Sequence, residues 1–140
     1  MSLKVFVADD IATCRALRRT VFIEEQSVSE DEELDDLDEQ AIHILAMQDE
    51  RPVGSARIIL SDTVGKIGRV CVLKDQRGSG LGTTLIKKCL EVLRGQANIE
   101  TAKLGSQTHA IGFYERLGFT AYGPEYDDAG IQHKDMKCPL

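Results

Sequence analysis

The chain has 140 residues, 42% of them hydrophobic and 29% charged, which fits one globular domain over residues 1–140. A net charge of −6 disfavours bulk nucleic-acid binding, and no apolar run approaches the ~20 residues of a membrane span. The four cysteines, Cys14, Cys71, Cys89 and Cys138, are too scattered for a metal or disulfide framework. No signal-like segment opens the chain, so the expectation is a cytoplasmic protein with no metal, nucleic-acid or membrane partner.

Residues 3–8 alternate and are rich in β-formers, which predicts a first strand. Asp9-Asp10 offers an N-cap, and Ile11, Cys14, Leu17, Val21 and Phe22 follow at helical spacing, so one helix is expected to about Ile23. Arg15, Arg18 and Arg19 on this helix read as a solvated face. Residues 24–39 hold ten acids and no base, while the rest of the chain holds thirteen acids against seventeen bases. Leu34 and Leu37 lie three apart there, which suits a loop with one helical turn. A charge run of this kind is ordinarily solvated surface; the sharper reading is an acidic rim that attracts a cationic substrate.

Strands are expected at 41–47, 53–60 and 66–72, joined by short turns into a meander. A helix is expected from Leu81 to Leu93, ended by Gly95, then a short strand at 102–105. A short helix at 108–117 ends at Gly118, a strand covers 119–123, a loop 124–130, and a last strand 131–136. The result is an α/β domain with a mixed sheet.

Between the third meander strand and the long helix stands Arg77-Gly78-Ser79-Gly80-Leu81-Gly82-Thr83-Thr84. Glycine allows positive φ and close approach of a ligand to the backbone, and a helix N-terminus adds free N–H donors with a partial positive charge. Arg77 offers a planar contact for an anion. The stretch therefore reads as a phosphate cradle. The third glycine of a dinucleotide fingerprint is replaced by Thr83, and no Gly-Lys-Ser/Thr ending marks a P-loop.

Two motifs carry a family resemblance. Arg77, Gly80 and Gly82 fit the Arg/Gln-x-x-Gly-x-Gly/Ala signature of the GNAT superfamily of acyl-CoA-dependent N-acetyltransferases. Residues 110–119, Ala-Ile-Gly-Phe-Tyr-Glu-Arg-Leu-Gly-Phe, resemble that family's Ala-x-x-Phe-Tyr-x-x-x-Gly-Phe segment. The element order resembles the family over the whole chain. Residues 17–26, with Asp35, Asp38 and His43, resemble the ElaA-type subgroup.

The resemblance implies a mostly antiparallel mixed sheet of about seven strands flanked by about four helices, with a splayed pair of parallel strands. It implies acetyl-CoA as co-substrate and direct transfer to an amine in a ternary complex. Gly78, Ser79, Gly80, Leu81, Gly82 and Thr83, with Arg77, would hold the pyrophosphate. Backbone groups of Val70, Cys71 and Val72 would face the pantetheine arm, with Gln107 on its amides. Tyr114 stands at the family's general-acid position. Many relatives place a basic Glu on the strand before the loop, where this chain has Gly68 and Arg69. Glu25, His43 and His133 remain as alternatives for the base. A small-molecule or peptide amine is the implied acceptor, and a homodimer is common among similar proteins. The contrasting reading is an acyl-CoA-binding sensor or interaction module that does not turn over.

Overall fold

The computed structural model describes residues 2–33 and 35–140. Leu34, one half of the Leu34/Leu37 spacing, lies outside them. The strands are β1 (Leu3–Ala8), β2 (Ile42–Gln48), β3 (Arg51–Ser61), β4 (Val64–Val72), β5 (Thr101–Gln107), β6 (Thr120–Asp128) and β7 (Ile131–Pro139). The helices are α1 (Ile11–Arg18), α2 (Glu30–Glu33), α3 (Leu81–Arg94) and α4 (Ile111–Glu115). The seven strands form one sheet in the order β1-β2-β3-β4-β5-β7-β6, antiparallel except for the β4–β5 pair. This is the mixed α/β sheet expected from the sequence.

Alternation along the strands sends two sets of side chains to two layers. On one face Ile44, Ile58, Ile67, Leu104 and Met136 meet Leu85, Ile86, Cys89 and Leu93 of α3. The approach is close: a Cβ on Gly65 would lie 2.2 Å from Leu93 Cδ2. On the other face Cys14, Leu17 and Val21 pack over Ala8, Leu45 and Cys71. Asp10 caps α1 by accepting from the Thr13 N–H at 3.0 Å.

Two predicted elements differ. The helix expected to Ile23 is α-helical only to Arg18 and widens into a π-helical stretch, Arg19–Glu25, closed by Gln26 N–H donating to Val21 O at 3.1 Å. Such widening often accompanies functional sites. The loop expected at 124–130 is mostly strand. Tyr122 pairs with Asp135 and Tyr126 with His133, so three residues of β6 face one of β7, and the turn-forming Gly123 (φ 75°) sits in that bulge.

The feature that positions the site is a second bulge. Arg57 pairs with Gly68 and Ser55 with Cys71, so Arg69 and Val70 together oppose Ala56. Arg69 adopts a positive φ of 50°. A bulge bends and twists its strand. β4 and β5 accordingly pair only at Val64–Thr101, Gly65–Ala102 and Lys66–Lys103, and part beyond.

Candidate active site

The parted strands open a cavity of about 610 Å³. Ile67, Gly68, Arg69, Val70 and Val72 line its β4 wall, and Leu104, Gly105 and Gln107 its β5 wall. The α3 side contributes Arg77, Gly82, Phe113 and Tyr114; the opposite side contributes Phe22, Gln26, Glu32, Tyr126 and His133.

The glycine loop stands at this opening with its donors free. Gly80 is the N-cap of α3, in a left-handed conformation (φ 86°), and no side chain caps the helix. The backbone N–H groups from Gly78 to Thr83 have no hydrogen-bond partner among the described residues. A Cβ built on Gly78 or Gly80 meets nothing within 4 Å, so that face of the loop is open space. A helix start with unmatched donors beside a void has the chemistry of an anion cradle. The hydroxyls do not all point there: Ser79 donates to Gln76 O and Thr84 to Gly80 O at 3.1 Å.

Arg77 is engaged elsewhere. Its guanidinium donates to both Glu25 carboxylate oxygens, at 2.6 and 2.9 Å, and to Val72 O at 3.1 Å. Those hydrogen bonds hold the Glu25 carboxyl below its usual range. Cys71 differs from its neighbours: Val70 and Val72 line the cavity, while the Cys71 side chain is buried against α1. Burial pushes its thiol up to about 12, so it carries no thiolate near neutral pH.

Tyr114 comes from α4, in edge-to-face contact with Phe113 and Phe119 at centroid distances of 5.0 and 5.9 Å. Burial raises its phenol to about 12, which keeps the hydroxyl protonated. His133 on β7 stacks on Tyr126, with centroids 5.9 Å apart. Its Nδ1 lies 2.8 Å from Ile131 O. A carbonyl only accepts, so Nδ1 carries a proton, and in the neutral ring the lone pair is on Nε2. Tyr126 donates to Asp135 Oδ1 at 2.7 Å, and burial together with that carboxylate raises its phenol pKa. Gln107 reaches Gln26 Oε1 at 3.1 Å and also meets His109 Nε2 at 2.7 Å.

His43 is not brought to the cavity. It is 3% exposed on β2, with Nε2 donating to Asp38 O at 2.8 Å and Nδ1 buried without a partner.

Most acids of residues 24–39 are exposed, as a solvated charge run would be, but Glu33 and Asp38 are buried, and Arg18 is not on a solvated face. Arg18 is 1% exposed; it donates to Asp38 at 3.0 and 2.7 Å and to Glu33. Arg57 donates to Asp35 at 2.8 and 3.0 Å and to Asp38 at 3.1 Å. Arg69 reaches Asp35 at 3.2 Å, and Arg15 reaches Asp38 at 2.9 Å. Burial alone would raise the Asp38 carboxyl, but hydrogen bonds from Arg18, Arg15 and Arg57 hold it well below the usual carboxylate range. Arginine forks satisfy several carboxylate lone pairs at once, which a buried acid requires. Sequence reasoning missed this network because its paired members lie 15 to 34 residues apart. The surplus of acid over base within one short segment was its only sign.

Residues 8–140 match the family described as the acetyltransferase (GNAT) domain. The chain belongs to the GNAT acetyltransferase family. It is 38% identical to the uncharacterized N-acetyltransferase YjcF of Bacillus subtilis over 121 residues, 86% of each chain. It is 36% identical to protein ElaA of Escherichia coli over 124 residues, 86% of this chain and 81% of that one. The crystal structure of Escherichia coli ElaA superposes with a TM-score of 0.84 at 28% identity, covering 98% of both chains. An acyl-CoA N-acyltransferase from Pseudomonas aeruginosa superposes at 0.86 with 26% identity, again over 98% of both. Membership in this family implies an acyl-CoA co-substrate. No described helix is long and apolar enough to cross a membrane, and no cluster of described His, Cys, Asp or Glu could hold a metal ion.

Proposed function

We propose that the protein transfers an acetyl group from acetyl-CoA to a primary amine by direct attack with both substrates bound. One observation carries this: the parallel strands part beside an uncapped helix N-terminus whose donors have no partner among the described residues. A diphosphate seated on the N–H groups of residues 78–83 directs a pantetheine arm between Val70–Val72 and Leu104–Gln107, where unpaired strand backbone can bond it as an added strand would. The Val72 N–H would then be available to polarise the thioester carbonyl.

Tyr114 is the acid. Its hydroxyl has no described hydrogen-bond partner and is kept protonated by burial, so it can donate to the departing thiolate. His133 is the base we favour. An alkylammonium must lose a proton before it attacks, and His133 lines the cavity with the Nε2 lone pair free. Glu25 is held ionised by Arg77, and His43 is sealed behind Asp38.

Thermal unfolding with and without coenzyme A tests the donor half. Saturating coenzyme A should raise Tm, by an increment set by its concentration over Kd. Gly80→Glu, which fills the cradle, should abolish that rise. An unchanged Tm in the wild type withdraws the coenzyme A site. Thiol release against a panel of amines tests transfer, and binding without release from any amine favours a sensor over an enzyme.

A further inference from the structure

Lys66, Lys103 and Lys137 stand in one row across three neighbouring strands. Lys66 pairs in register with Lys103, and Lys103 with Lys137. Like charges directly opposite one another in a sheet are unfavourable. None of the three makes an ion pair with a described residue. The ammonium groups of Lys103 and Lys137 instead share the Tyr122 ring, at 5.8 and 5.0 Å from its centroid. The closest acid by register on that face, Asp135, is one row away and accepts from Tyr126.

The row lies on the face opposite α3, because Ala102, Leu104, Met136 and Cys138, the residues flanking Lys103 and Lys137, belong to the α3-side core. On the lysine face, α1 covers β2–β4, while β5–β7 meet α3 on the opposite face and α4 and the turn Thr108–Ala110 most closely besides. Tyr114 of α4 belongs to the α3-side core, so among the described residues no helix packs over the lysine face of β5–β7 as α1 does over β2–β4. Lys66 and Lys137 are exposed, and Lys66 also lines the active-site cavity. A basic track therefore runs from the cavity onto bare sheet, in a chain whose net charge is −6.

We propose that this track binds an acidic peptide segment of the acceptor, whose amine enters the cavity beside Lys66. The inference rests on the acetyl-transfer reading. Strands lie ~4.8 Å apart, so the row spans about 10 Å, and an extended peptide repeats same-face side chains every ~7 Å. Two acids at alternate positions reach the row. An open face without walls suits an extended segment better than a small molecule, which a concave pocket must enclose. Of the acids beside the cavity, Glu33, Asp35 and Asp38 are held by arginines, while Glu32 and Asp128 are exposed at its rim, away from the lysine row.

The test is fluorescence anisotropy with a labelled short peptide holding one lysine and acids at alternate positions, against the same peptide with glutamines replacing the acids. The wild type should bind the acidic peptide about tenfold more tightly at low salt, the sum of a few exposed charge contacts. Lys103→Gln/Lys137→Gln should remove that preference. Lys87→Gln/Lys88→Gln, an equal charge change on α3, should keep it. Equal binding of the two peptides by the wild type overturns the proposal, and so does an undiminished preference in the Lys103/Lys137 variant. A single-stranded oligonucleotide that binds the row more tightly than the peptide also overturns it. Row-dependent binding with no thiol release from any amine would remove the transfer reading and leave the track. Thiol release at equal KM from both peptides would do the reverse.

Discussion

Glu25 and Arg77 are locked together at 2.6 and 2.9 Å across 52 residues of sequence, joining the end of the π-helical stretch to the start of the glycine loop. The pair engages an arginine that the loop motif presents to an anion, and it spends the carboxylate that ends the first helix. Side-chain exposures of 40% and 33% make it an ordinary surface ion pair, of about 1 kcal/mol at most. Glu25→Gln should therefore tighten coenzyme A binding by up to about fivefold, as Arg77 is released. Turnover should persist. Titration calorimetry reads the first quantity and thiol release the second. A loss of kcat beyond about a hundredfold would restore Glu25 as the base.

Tyr114 has a polar group without a described partner in an apolar setting. Tyr114→Phe should leave Tm almost unchanged, because no hydrogen bond is lost. Coenzyme A affinity should also hold. Turnover should fall by about a hundredfold, the scale of a missing general acid. With the phenol at about 12, deprotonation of Tyr114 cannot produce an alkaline limb between pH 7 and 10. An alkaline limb in that range that vanished in Tyr114→Phe would show an unexpectedly acidic phenol and refute this account.

Asp38 is the hinge of the buried ion network. Its carboxyl is depressed in the folded state, so its stabilisation is complete above the unfolded value of ~3.9 and lost as pH falls toward the folded one. Wild-type Tm should hold down to about pH 4 and then drop. Asp38→Asn leaves Arg18, at 1% exposure, without its main partner, a loss of about 3–5 kcal/mol. For a chain of this length that corresponds to roughly 10–15 °C in Tm. The variant should also show a weaker acid dependence below pH 4. A Tm within a few degrees of wild type, checked by differential scanning calorimetry, would refute the buried role.

The elements and the two motifs were legible because each has a local cause. Strand alternation, the α3 apolar stripe and the glycines before it are short-range patterns. The splay is different. It follows from a bulge at Arg69 and Val70, and an arginine at positive φ has no short-range signature; the neighbouring Gly68 was a faint one. The ion network was illegible for another reason. Arg18, Arg57 and Glu33 come from α1, β3 and α2, and Asp35 and Asp38 from the stretch between α2 and β2, and a charge run cannot show which of its members find buried partners. The expected loop at 124–130 failed because Gly123 and Pro124 mark a bulge within β6 as readily as a break.

His133 provides the sharpest test of the acceptor half. Its Nδ1 is committed to Ile131 O, so Nε2 is the nitrogen available to an incoming amine. His133→Ala should lower kcat by about a hundredfold, the usual scale for a general base. Coenzyme A binding should be unaffected. A structural role would produce the same loss, so the deciding measurement is rescue. Added imidazole should restore turnover in His133→Ala in a saturable manner and have no effect on Tyr114→Phe. His133→Gln, which keeps a polar side chain but no titrating nitrogen, should stay inactive without imidazole. Full activity in His133→Gln would assign the proton to solvent reached through the cavity and remove His133 from the mechanism.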